Sequence, residues 1–244
     1  MDELNPECGR FVWEVFAKYL EFVSTHEGGS LHRCSTHFFA VYQAKQGTIE
    51  SQALALGVAV EGLCKELFPN YVTTPEQFAK WVKGLRAYCE SWTGFSDPMV
   101  KRLLFNRVLG FLGSLRSSGE KDTLVKLVAE GAIQDRHVKA WGRLRNQAAH
   151  ASVRVTGSLQ ELVDLCQAVT VLTYHLTFKA IGYTGVYTDY SEYGFPLRRY
   201  RGRLPSAEEI ATAAYFLYLK EPDQHGKDVD HWLAAEAMLR RGEI

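Results

Sequence analysis

Apolar residues recur along this chain at helical spacing almost from end to end. From Phe11 to Val23, residues Phe11, Val12, Val15, Phe16, Tyr19, Leu20 and Val23 fall three or four apart, the stripe of an amphipathic helix. A second helix is expected from Leu31 to Ala44. Between Ser51 and Phe68 the run S-Q-A-L-A-L-G-V-A-V-E-G-L-C-K-E-L-F is apolar nearly all round, which predicts the most buried helix, halted by Pro69-Asn70 and interrupted by Glu61. Thr74-Pro75-Glu76-Gln77 supplies an N-cap, a first-turn proline and a capping-box glutamine for a helix through Tyr88.

Asp97-Pro98 opens the next helix in the same way, with Leu103, Leu104, Val108, Leu109, Phe111 and Leu112 as its apolar residues. Short helices follow over 122–129 and from 135 to about 150. Ser158-Leu159-Gln160-Glu161 is a capping box for a long helix striped by Leu162, Cys166, Val169 and Leu172, ending near Ala180. Residues 182–197, rich in Tyr and Gly, read as an ordered loop packed by its own aromatics. The basic segment R-R-Y-R-G-R-L-P (198–205) reads as a linker. Ser206-Ala207-Glu208-Glu209 then caps a helix to about Lys220, and a last helix runs from Asp228 to Arg240. Its partner faces are expected at Ala214, Leu217, Leu233 and Ala237. Two helices of this length bury too little to stand alone, so they must dock on the body or on a partner protein. No hairpin signal stands out; only Ser152-Val153-Arg154-Val155 alternates, and briefly.

The pattern gives an all-α fold: a helical domain over 1–200 with an N-terminal helical extension, and a linker plus two-helix appendage over 201–244. Composition fits an ordinary globular chain, with 46% hydrophobic and 23% charged residues in 244. The 28 basic and 28 acidic residues cancel, so any contact with nucleic acid must rest on a local patch. Cys8, Cys34, Cys64, Cys89 and Cys166 are odd in number, widely spaced and without C-x-x-C, which speaks for a reducing cytoplasm over a disulfide framework or zinc site. The first residues show no secretory signal, and no apolar stretch reaches the ~20 residues that span a bilayer. No membrane association, cofactor or metal is expected.

The densest chemistry lies in H-V-K-A-W-G-R-L-R-N-Q-A-A-H (137–150). Val138, Trp141, Leu144 and Ala148 are spaced to face a core. Arg136, Lys139 and Arg143 lie off that stripe and form a basic face suited to RNA. Asn146 and His150, four apart, share one side of the helix. Arg145 sits about 140° from His150 on a straight helix, within reach of a phosphate that the imidazole also touches. Such an inventory suits phosphodiester cleavage by the adjacent ribose hydroxyl. Histidine moves protons near neutral pH, and the planar arginine fork stabilises charge on phosphorus. One Arg and one His are half a site; a twofold dimer would supply two of each. The same three residues at a helix end can equally cap carbonyls and pair with acidic neighbours. Glu61 either supports the site by binding His150 or Arg145, or is a buried acid satisfied by another arginine.

R-N-x-x-x-H near a helix end, preceded by W-x-x-L, resembles the signature of the HEPN superfamily. The Q-G-T-I-E-S-Q-A-L-A-L-G-V-A-V-E-G-L-C-K-E-L-F helix, W-G-R-L-R-N-Q-A-A-H-A and I-G-Y-T-G-V-Y-T-D-Y are similar to the ApeA-like anti-phage branch, over roughly residues 10–200. The resemblance implies a HEPN-type helical bundle acting as a homodimeric, metal-independent endoribonuclease in antiviral defence or as a toxin. Arg145 and His150 would be the catalytic pair and Asn146 a positioning residue. Some HEPN proteins are non-catalytic, so a silent scaffold that dimerises and binds RNA, a nucleotide or a partner protein is the alternative. Residues 213–239 resemble a short bacterial domain of unknown function patterned A-Y-x-L-W and H-W-L-x-A-E, with Tyr218 where Trp is common. His225, Asp228, Asp230 and His231 read as a solvated turn and helix cap, since their spacing is not a zinc arrangement. Arg198, Arg199, Arg201 and Arg203 with Tyr200 fit either an RNA backbone or a solvated linker.

Overall fold

The computed structural model describes residues 6–25, 31–73, 75–92, 94, 97–114, 119–149, 158–220 and 226–243. Among these the protein is all-α: ten helices and one two-stranded sheet. It divides into two compact units, Met1–Phe68 with Leu127–Ile244, and Pro69–Lys126.

The first unit is built on α3 (Ile49–Leu67), which packs on α2 (Arg33–Lys45), α7 (Asp135–Ala149) and α8 (Leu159–Ala180). Thr48 caps α3 by accepting from the Ser51 amide, while the Ser51 hydroxyl accepts from the Thr48 amide. Its buried face is Ala53, Leu56, Gly57, Ala59, Val60, Leu63 and Cys64, but Leu54 and Val58 are exposed. The most buried helix is instead α8, with eleven buried residues. Being apolar all round did not single out α3, because Leu54 and Val58 lie exposed on one of its faces. Ser158 caps α8 by accepting from the Glu161 amide at 3.2 Å. Buried Thr173 and Thr177 satisfy their hydroxyls on the carbonyls of Thr170 and Thr173, so this helix tolerates them in its core. Helix α1 (Pro6–Ser24) lays Val15 against the aromatic end of α8 and is tied to α2 by the Tyr19–Ser35 hydroxyl pair at 2.7 Å.

Residues 182–197 correct one expectation. With Arg198 and Arg199 of the following basic segment they form a β-hairpin, β1 (Val186–Thr188) antiparallel to β2 (Leu197–Arg199), with Val186 opposite Arg199 and Thr188 opposite Leu197. Three-residue strands give too little alternation to register as a period in sequence. The aromatic packing expected of the segment is present. Tyr183, Tyr187 and Tyr200 join Val171 and Phe178 of α8 in a buried cluster, with the Tyr183 hydroxyl on the Val186 carbonyl at 2.8 Å.

The chain then runs into α9 (Ala207–Lys220) and α10 (Asp228–Arg241), which pack on each other. The predicted capping box forms in full: the Glu209 amide donates to Ser206 Oγ and the Ser206 amide to Glu209 Oε2. Ile210, His231 and Ala235 are the buried residues of the pair. Leu233, expected inside, is exposed. Residues 198–205 are held to the body. Arg198 pairs with Glu192 and Glu243, Arg201 and Arg203 share Glu209, and Tyr200 is buried with its hydroxyl on the His175 carbonyl.

In the second unit α4 (Glu76–Ser91) packs on α5 (Pro98–Ser114). The N-cap of α4 is Pro75, which makes no side-chain cap bond; Thr74, expected there, lies outside the described residues. Asp97 caps α5 as its sequence predicts, accepting from the Met99 amide at 2.7 Å. Val82, Leu112 and Leu124 are buried, whereas Leu103, Val108 and Phe111 of the expected α5 stripe are exposed. Helix α6 (Glu120–Ala129) carries the chain across the division between the units.

Candidate functional site

The core face of α7 is His137, Ala140, Trp141 and Leu144, each under a tenth exposed. That stripe is turned slightly from the one expected, because His137 takes the place given to Val138, which is only half-buried. Trp141 is anchored by its indole N–H on the Gly57 carbonyl at 3.1 Å, and a Cβ on Gly57 would lie 3.9 Å from the Arg145 Cα. The α3 and α7 backbones therefore come close beside Arg145. With Leu144 inward, Arg145 and Asn146 face outward, and both are exposed.

Arg145 does not hang free. Its Nε pairs with Glu61 Oε1 at 2.5 Å, and its guanidinium carbon lies 5.7 Å from the Trp141 ring centroid. Glu61 is thus the acid that meets Arg145, one of the two readings of its position. Helix α7 continues through Ala149, so positions 145–149 of the hexapeptide are helical. His150 lies outside the described residues, as does its geometry to Arg145 and Asn146.

The three flanking cations are each engaged within the chain. Arg136 meets Asp189 at 2.9 Å and Glu192 at 2.7 Å, Lys139 meets Asp135 at 2.6 Å, and Arg143 meets Glu161. Asp189 is fully buried and is the strongest of these anchors. Burial raises the Glu192 carboxyl, but hydrogen bonds from Arg198 and Arg136 outweigh it and leave the group below its ordinary value. Of these carboxylates Asp135, four residues before Lys139 on α7, and Glu161, the capping-box glutamate of α8, carried a local signal. Asp189 and Glu192 belong to the aromatic segment, and nothing in its composition couples them to α7.

Behind Arg136 lies a chain of buried polar groups. The Ser191 hydroxyl donates to Asp189 Oδ1 at 2.5 Å and lies 3.0 Å from His137 Nε2. Because its one proton goes to the carboxylate, the hydroxyl accepts from His137, which fixes the Nε2–H tautomer. The histidine orients the anchor of Arg136 and is too buried to meet substrate. His175, on α8, is also buried, its ring centroid 5.6 Å from that of His137.

Burial draws both imidazoles down to about 3, with Arg136 adding to the effect on His137, and His137 on His175. Their folded values lie below the unfolded one, so the unfolded chain binds more protons between about pH 6.5 and 3. Stability should be full above that window and fall as pH drops through it, by roughly 2 kcal/mol per histidine from pH 7 to 5. Urea unfolding at both pH values checks this; His137→Gln should make the difference smaller, and an unchanged difference would place the titration elsewhere.

Among the described residues no group of three or more metal-type side chains gathers, and Cys34, Cys64, Cys89 and Cys166 are not joined in disulfides. His225 lies outside the described residues, and His231 is buried on α10. None of the described helices is long and apolar enough to cross a membrane.

Comparison with known proteins gives one match. Residues 205–241, the α9–α10 pair with its leading cap, match the family described as a protein of unknown function (DUF2934). This agrees with the resemblance of the C-terminal segment and brings no activity with it. No curated protein and no solved structure matches the chain.

Proposed function

We propose that the protein is a metal-independent endoribonuclease of the HEPN type, an effector in phage defence or of toxin kind, acting in the cytoplasm as a homodimer. The observation that carries the reading is Arg145: an outward arginine on α7, braced by Glu61 and the Trp141 face, at the head of R-N-x-x-x-H. A braced guanidinium presents its remaining N–H groups in a fixed direction, as stabilisation of a phosphorane requires. His150 would move the protons, and Asn146 would position the phosphate or the imidazole. Arg136, Lys139 and Arg143 would track the RNA backbone, exchanging surface carboxylates for phosphates. The test is incubation of RNA with the protein in excess chelator, followed by analysis of product ends. Cleavage leaving cyclic phosphates, and blocked by a deoxy nucleotide at the scissile position, supports the reading.

Dimerisation is supported by the face beside the braced pair. Leu54 and Val58 are exposed and share a helix face with Glu61, at spacings of seven and three. A twofold axis there would cover both apolar side chains and bring two Arg145 groups near each other. Light scattering should report about twice the 27.6 kDa chain mass. Val58→Glu should return the protein to that single mass, and a dimer surviving this change would move the interface elsewhere.

A second reading is favoured by the ion pairs themselves. Each of the four cations named on α7 already has a carboxylate of its own chain. A silent scaffold that dimerises and holds RNA, a nucleotide or a protein partner would keep such pairs intact. It would show RNA retention without product.

A further inference from the structure

We infer that a second site, in the same unit and apart from the hexapeptide, binds a small hydroxylated oxyanion in a cavity walled by the C-terminal segment. The cavity has a volume of about 230 Å³, below the roughly 300–1,000 Å³ of pockets for drug-sized ligands. Its ligand is correspondingly small.

Two features define the ligand's chemistry. The wall carries five arginines, Arg199, Arg201, Arg203, Arg240 and Arg241, and one carboxylate, Asp135. Glu209, Glu236 and Glu243 pair with four of those arginines from outside the lining, so five cations face four carboxylates in all. Glu209 is divided between Arg201 and Arg203, and Glu243 between Arg198 and Arg241, which leaves guanidinium N–H groups unused. Arg201 Nε is one of them, buried and without a hydrogen-bond partner. Planar guanidinium forks are the side chains best shaped for phosphate or carboxylate oxygens.

The second feature is His175. It lines the same cavity at 2% exposure, between the rings of Tyr187 and Tyr200 at 4.9 and 5.0 Å, and neither ring nitrogen has a hydrogen-bond partner among the described residues. Leaving both nitrogens of a buried imidazole empty is costly. Held neutral by burial, the ring offers one donor and one acceptor, the complement of a hydroxyl. A ligand with a hydroxyl at this end and an oxyanion at the arginines satisfies both.

The backbone is built to close this space. Gly131, at φ 74°, lies where a Cβ would be 2.7 Å from the Leu204 nitrogen, and Gly242, at φ 70°, where it would be 2.3 Å from the Arg199 carbonyl oxygen. Only glycine permits these approaches. They bring the α6–α7 turn and the end of α10 onto residues 199–204. Pro205, Leu239, Arg240 and Arg241 of the family-matched segment are thereby part of the wall. That gives this small domain a task its family description lacks.

Ribose 5-phosphate and citrate carry the required groups on a phosphate and a carboxylate respectively, and inorganic phosphate lacks the hydroxyl carbon frame. Calorimetric titration of the full chain without RNA should show one-to-one, saturable binding of ribose 5-phosphate or citrate, and the preferred one identifies the oxyanion. Arg203→Gln and Arg241→Gln, both at solvent-reached positions, should weaken it by about tenfold or more with melting temperature unchanged. Arg33→Gln, on α2, should leave it intact. In ¹⁵N-histidine spectra the His175 ring signals should move on binding. No saturable binding of any probe up to about 10 mM would mean that water alone fills the cavity and would overturn the proposal. So would binding that ignores both arginine variants or leaves His175 unmoved. These readouts involve no RNA cleavage, so this site and the ribonuclease reading stand or fall separately.

Discussion

Arg145→Ala and His150→Ala variants are expected to cleave RNA about a hundredfold or more slowly than the parent protein, each while remaining folded and dimeric. Arg145→Ala removes the guanidinium that would stabilise charge on phosphorus, and His150→Ala removes the group that would carry the protons. The size of the loss separates chemistry from structure. An arginine or histidine that only caps or pairs at a helix end contributes on the order of 1 kcal/mol to stability and nothing to rate. Glu61→Gln is informative beside them. It keeps the side-chain volume but weakens the brace on Arg145, so it should slow cleavage less than Arg145→Ala does. Initial rates on one RNA in excess chelator, from pH 5 to 8, give all these comparisons. Wild-type rates in both alanine variants would assign the hexapeptide a structural role and favour the scaffold reading.

Trp141→Ala should destabilise the protein by about 3–5 kcal/mol, the usual cost of deleting a large buried aromatic side chain. Trp141 is 2% exposed and its indole N–H is bonded to the Gly57 carbonyl, so the change opens a cavity at the α3–α7 crossing and removes a hydrogen bond between the two helices. Urea unfolding followed by circular dichroism at 222 nm measures the loss without depending on the removed fluorophore. Trp141→Phe should recover most of the packing and lose only the hydrogen bond, about 1 kcal/mol. Arg145 would keep a ring beneath it in that variant, so cleavage should fall less in Trp141→Phe than in Trp141→Ala. A loss under about 1 kcal/mol in Trp141→Ala would mean that the crossing is not held by this side chain.

Most of the fold was legible from the chain because its signals are local. Helix starts at Ser158, Ser206 and Asp97 are fixed by side chains that reach amides two or three residues on, and all three form the expected bonds. Trp141 and Leu144 of the expected α7 stripe are likewise buried, whereas His137 in the place given to Val138 was settled by packing. What tertiary structure alone decided is which charges meet. Glu61 reaches Arg145 across 84 positions, and Asp189 reaches Arg136 across 53. Such pairings depend on how α3, α7 and the hairpin are brought together, and an acid's place in sequence does not reveal it. The hairpin was hidden for a related reason: three-residue strands are specified by their partners and by the Tyr183–Tyr187–Tyr200 cluster beneath them, with too few residues to show a period. His175 sits in an ordinary apolar helix stripe, and only the folding of residues 199–204 and the end of α10 around it makes that imidazole the floor of a cavity. Local preference is written residue by residue, whereas a site is a coincidence of distant segments in space.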